Sequence, residues 1–272
     1  MTDAITKTST SEQRELQKNL KLLKKLEGDL AQRELDLETL RNELKAIDLL
    51  YIRRVGRRLA QLELLDARIT EILARLNPDE EETQDRAREA CRQAAETRQR
   101  AKEAQAAPEE STHFKPSENL RSLYREAAKN VHPDLAGDDA ERETRNQWMA
   151  EINSAYSAGD EERLASLLDQ WHSSPEAVQG DSLEARLERT LRLIARAKER
   201  LRAIRVELDH LKGTFAFRLR EQMQAAEKAG KDLLEEMAEK IEKQILRKES
   251  FLEDLLKNAP PEIKNRSVKT GN

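Results

Sequence analysis

Four phenylalanines, three tyrosines and two tryptophans are all the aromatic residues in 272 positions. A chain with 3% aromatics and 38% charged residues lacks the material for a large globular core, which leaves long exposed helices as the expected architecture. Glycine (8) and proline (7) are scarce too, so turns should be few and regular segments long. One cysteine, Cys91, excludes an internal disulfide framework and a cysteine-cluster metal site, and it fits a reducing compartment. No apolar run approaches the roughly 18 to 20 residues of a membrane span. The opening MTDAITKTSTSEQRE also lacks the apolar core of a secretory signal. These absences predict a soluble, cytoplasmic chain without membrane contact. A charge excess is missing as well: 49 Lys and Arg face 53 Asp and Glu, for a net charge of -4, and nothing global draws the chain to nucleic acid or anionic lipid. There is no Gly-rich phosphate loop, nucleophile arrangement or paired-carboxylate motif, and His113, His172 and His210 are scattered without metal-ligand spacing. The expectation is a protein that is not an enzyme and takes neither metal nor cofactor.

What is present is hydrophobic spacing. From Leu16 the apolar residues run through Leu20, Leu23, Leu26, Leu30, Leu37, Leu40, Leu44 and Ile47, and on through Leu59, Leu62, Leu65, Ile69, Ile72 and Leu76, mostly in steps of three and four. Asn77 and Pro78 break this stripe, the acidic DEEE opens a second helix, and Ala87, Cys91, Ala94, Ala101 and Ala104 give that helix a small-residue face. Residues 11–107 are therefore expected to form a coiled coil, economically an antiparallel hairpin, although a homodimer could bury the same stripe. The pattern resumes at Leu183, Leu187, Leu191, Ile194, Leu201, Ile204, Leu208 and Leu211 and continues through Leu233, Met237, Ile241, Ile245, Leu252 and Leu255, which predicts a second coiled coil over 181–258. Spacing leaves open whether Gly213 or Gly230 makes its reversal. The stretch 259–272 has no apolar period and reads as a disordered tail.

Between the coiled coils lies a compact insert, residues 112–174. Ser117 can cap a helix whose apolar face is Leu120, Leu123, Tyr124, Ala127 and Val131 and whose basic stripe is Arg121, Arg125 and Lys129, each four apart. That helix must end at His132, because Pro133 cannot continue it. A second helix presents Met149, Ile152, Ala155 and Tyr156, Gly159 stops it, and DEERLASLLDQW supplies a short third helix. Trp148 and Trp171 read as packing residues.

The segment LRSLYREAAKNVHPD, followed by MAEINSAY, resembles helix II, the His-Pro-Asp loop and helix III of the J-domain of DnaJ-type co-chaperones. The resemblance covers about a fifth of the chain and implies an all-α fold in which long coiled-coil helices flank a small J-like domain. It further implies that the protein recruits a DnaK-type ATP-dependent chaperone and stimulates its ATPase. Arg121, Arg125 and Lys129 would dock the partner, Asp134 would pair with a basic group on it, and His132 with Pro133 would fix the loop geometry. The coiled coils would bind a client protein, oligomerise or set location. The other reading is a structural coiled-coil scaffold carrying a degenerate J-like interaction module. The family's short helix I has no counterpart in STHFKPSEN. A flanking helix, ending near Ala107 or starting near Leu183, is expected to pack against Leu123, Tyr124 and Met149 in its place. The loop itself is expected to be exposed, so that changing His132 leaves stability unaltered.

Overall fold

The computed structural model describes residues 2–108, 113–172 and 183–260. Most of the expected tail, from residue 261 onward, lies outside them. All regular structure among the described residues is helical: eight α-helices and one 3-10 turn, with no strand. The chain divides into two compact units, Met1–Glu43 with Phe114–Thr214 and Leu44–His113 with Phe215–Asn272. The first helix, α1 (Thr2–Leu76), contributes to both. It runs uninterrupted because proline is absent from it; Asn77, whose amide and side chain both return to the Leu73 carbonyl at 3.0 Å, and Pro78 end it.

In the first unit, α3 (Glu118–Val131) starts at Ser117, whose hydroxyl accepts the Leu120 amide at 2.9 Å. It stops at His132, where Pro133 opens the 3-10 turn Pro133–Leu135. Helix α4 (Asp139–Ala158) is capped by Asp138 and ends at Gly159, which takes the left-handed φ of 72° that a side chain would resist. The Tyr124 hydroxyl donates to Asn153 at 2.8 Å and Arg145 reaches the Asn130 carbonyl at 3.0 Å, so α3 and α4 are antiparallel. Helix α5 (Glu161–His172) closes the group with Leu164, Leu167 and Leu168 buried.

These three helices do not complete a core alone. Ala31 and Leu35 of α1 are buried in the same cluster as Leu120, Tyr124, Val131, Ile152 and Tyr156. The wall expected from the helix ending near Ala107 or starting near Leu183 is thus supplied by α1 instead. Phe114 adds to it, with its ring edge-on to Tyr156 at 5.5 Å. Helix α6 (Leu183–Lys212) lies along α1 through Ile194, Ala197 and Ile204 against Leu23, Leu26, Leu30 and Leu37. The pairs Glu34 with Arg200 and Arg41 with Glu207 advance together, so α6 runs parallel to α1 here.

In the second unit, α2 (Glu81–Ala106) returns antiparallel along α1: Gln84 donates to the Ala74 carbonyl at 2.7 Å and Arg53 to the Ala104 carbonyl at 2.7 Å. Its buried positions are alanines, which permit the close approach. Cys91 is exposed. Helix α7 (Phe215–Lys228) and α8 (Leu233–Asn258) are joined at Gly230, φ 69°, and Leu219 and Leu234 bury against Val55. Arg54, Arg58 and Asp66 meet Asp232, Glu242 and Lys248 in order, which sets α8 parallel to α1.

Candidate functional site

The His132-Pro133-Asp134 motif forms the turn between α3 and α4. Pro133 removes a backbone donor and fixes its φ, so the chain leaves α3 and makes a single 3-10 turn in which Leu135 bonds back to the His132 carbonyl at 3.0 Å. His132 then caps its own turn: Nδ1 accepts the Asp134 amide at 3.1 Å. With Nδ1 an acceptor, the ring proton of the neutral tautomer sits on Nε2 and is donated to Glu34 Oε1 at 3.0 Å.

His132 is 2% exposed and Glu34 7%. The expectation of an exposed histidine is therefore wrong for this loop. The physical reason is the company it keeps: Arg200 of α6 clasps both oxygens of Glu34, Nε at 2.7 Å and Nη2 at 3.1 Å, and its Nη1 reaches Glu207 at 2.9 Å. Burial opposes the charge on Glu34, but hydrogen bonds from His132 and Arg200 outweigh it and hold the carboxyl below its ordinary pKa. Burial likewise opposes the Arg200 charge and its carboxylate partners prevail, so its pKa is raised. The buried histidine and carboxylate, with the partly exposed Arg200 guanidinium, keep these hydrogen bonds only while α1, the loop and α6 stay together.

The other residues singled out from the sequence fall around this triad. Asp134 is largely covered, its side chain 15% exposed, and binds Arg142 of α4 at 3.0 Å. Arg125 bonds Glu118 at 2.9 Å and reaches Gln32 of α1 at 3.4 Å. Lys129 is exposed and close enough to Glu27 of α1 to stabilise its carboxylate; burial is the larger influence there and the Glu27 pKa is raised. Arg121 is half-buried, its Nε without a hydrogen-bond partner among the described residues. Two members of the basic stripe thus meet α1, Lys129 at Glu27 and Arg125 at Gln32.

Sequence reasoning missed Glu34, Arg200, Arg142 and Arg145. Arg145 binds the carbonyls of Asn130 and His132 at 3.0 and 3.3 Å and lies over the Trp171 ring at 5.1 Å, so it ties the end of α3 to α4 and α5. A signal for Glu34 existed: between Leu30 and Leu37 the three-and-four spacing of leucines falls on Arg33 or Glu34, the position where the carboxylate stands. Nothing local marks Arg200. Among the described residues no group of acidic, histidine or cysteine side chains has the geometry of a metal site, and no helix is long and apolar enough to cross a membrane. The chain matches no known family model, no curated protein and no solved structure.

Proposed function

We propose that the chain is a J-like co-chaperone: the His132-Pro133-Asp134 turn and the neighbouring basic residues engage a DnaK-type ATP-dependent chaperone and stimulate its ATPase. The observation that carries this reading is the placement of the tripeptide at the turn of an antiparallel α3–α4 pair, with the cations Lys129 and Arg125 on the helix that leads into it. Cations on one face supply attraction and orientation, and a turn stiffened by proline presents Asp134 at little entropic cost. None of these groups performs chemistry on a substrate. The helices of the second unit would hold a client or a second copy of the chain, in the cytoplasm.

The burial of His132 against Glu34 favours a second reading, a helical scaffold in which the J-like module only packs. Single-turnover ATP hydrolysis by a DnaK-type chaperone separates the two. Stimulation by the full chain that disappears in Asp134→Asn, a near-isosteric change, supports the co-chaperone when helix content and melting are unchanged. No stimulation across a wide range of concentration, by the full chain or by Glu34→Gln, supports the scaffold.

A further inference from the structure

The face through which a J-like module would take its partner is already in use. Glu27 and Glu34 lie seven residues apart, on one side of α1. Opposite them stand Lys129, beside Glu27, and His132, at Glu34, while Arg125 reaches Gln32 at 3.4 Å. An acidic strip against a basic helix and a histidine turn is the charge pattern expected of an acidic docking partner, here supplied by the chain itself. Arg200 of α6 backs Glu34 from the far side and Arg196 holds the turn by donating to the Ala136 carbonyl at 2.9 Å.

We propose that the Glu27–Glu34 strip of α1 is an intramolecular stand-in for the chaperone partner, and that the His132–Glu34–Arg200 triad is a latch that must open before the turn can dock. The inference rests on the co-chaperone reading and adds its regulation. Docking and the latch draw on one set of groups: Lys129 cannot face Glu27 and a partner carboxylate at once, and His132 cannot leave the core without giving up Glu34. Apparent affinity for the partner is then the intrinsic affinity reduced by the fraction of open molecules. Leu35 and Ala31 of α1 bury in the core of the α3–α5 group, and that burial favours the closed state, in which α1 lies against the turn. Opening therefore requires force or ligand on α1 or α6, the two helices that hold Glu34 and Arg200. A client or second chain that draws either helix aside would couple its own binding to exposure of the turn.

The test uses the full chain with diethylpyrocarbonate, which modifies accessible imidazoles, read by peptide mass spectrometry. His113, His172 and His210 are exposed and serve as internal standards. In the unaltered chain His132 is expected to react at least about tenfold more slowly than they do. In Glu34→Gln, and separately in Arg200→Gln, its rate is expected to approach theirs, with unchanged helix content by circular dichroism. The same two variants are expected to stimulate the chaperone ATPase several-fold more than the unaltered chain at equal concentration. His132 reacting in the unaltered chain as fast as the three standards overturns the latch. Slow reaction that becomes fast in both variants, with no ATPase stimulation from any of the proteins, overturns the co-chaperone reading beneath it. Full stimulation by the unaltered chain, not increased in either variant, overturns the claim that the latch gates docking.

Discussion

Glu34 and His132 are 98 positions apart in the chain and 3.0 Å apart in space, and the histidine of the turn between α3 and α4 is buried because of it. That contact joins α1 to the turn, and Arg200 extends it to α6. Its stability consequences can be measured without any partner.

Glu34→Gln leaves the shape of the side chain and removes its charge. Charged hydrogen bonds to Arg200 and His132 are lost or weakened in a buried setting, so the first unit should lose about 1 to 3 kcal/mol, read from the urea midpoint at neutral pH. His132→Gln should cost about 1 to 2 kcal/mol for the same reason, in contrast to the unaltered stability expected of an exposed loop.

The cost of Glu34→Gln should depend on pH with a definite sign. The folded pKa of Glu34 lies below its ordinary 4.5, so its contribution is fully present above that value and is lost as pH falls through the lower folded pKa. Protonated Glu34 resembles glutamine. The gap in unfolding midpoint between the unaltered chain and Glu34→Gln should therefore close as pH is lowered from 6 to about 3. A gap that widens on acidification contradicts the assigned hydrogen bonds.

Helix α1 acts as the missing wall of the α3–α5 group. Leu35→Ala should lower stability by about 2 to 5 kcal/mol and speed amide exchange in α3 and α4, although Leu35 lies far outside residues 112–174. The excised fragment 112–174 should show poor amide dispersion, and a chain that retains the α1 stretch through Glu43 should restore it. Normal dispersion in the bare fragment contradicts this account.

Lys129 is the exposed member of the basic stripe. Lys129→Glu should slow association with the chaperone more than it speeds dissociation, and the effect should shrink as salt rises. Salt-independent association would place the contact elsewhere.

Much of the architecture was legible because periodicity reports it directly. The stripe from Leu16 to Leu76, the breaker at Asn77 and Pro78, the cap at Ser117 and the stops at His132 and Gly159 all mark observed helix ends or faces. The pairing of helices was less legible. Stripes of leucine are interchangeable, so spacing could not say that α1 rather than α2 or the start of α6 would finish the core around Tyr124. The triad was illegible for a related reason: Glu34 and Arg200 look like ordinary helix charges, and only the third dimension brings them to His132. The charged residue at the three-and-four position between Leu30 and Leu37 was a trace that something other than leucine stands there.

The most direct measurement is a long-range proton–nitrogen correlation spectrum of the four imidazole rings. The account predicts one Nε2–H signal protected from solvent exchange, absent in His132→Gln and lost to exchange in Glu34→Gln. Four rings that exchange alike, with the spectrum unchanged by Glu34→Gln, would contradict it.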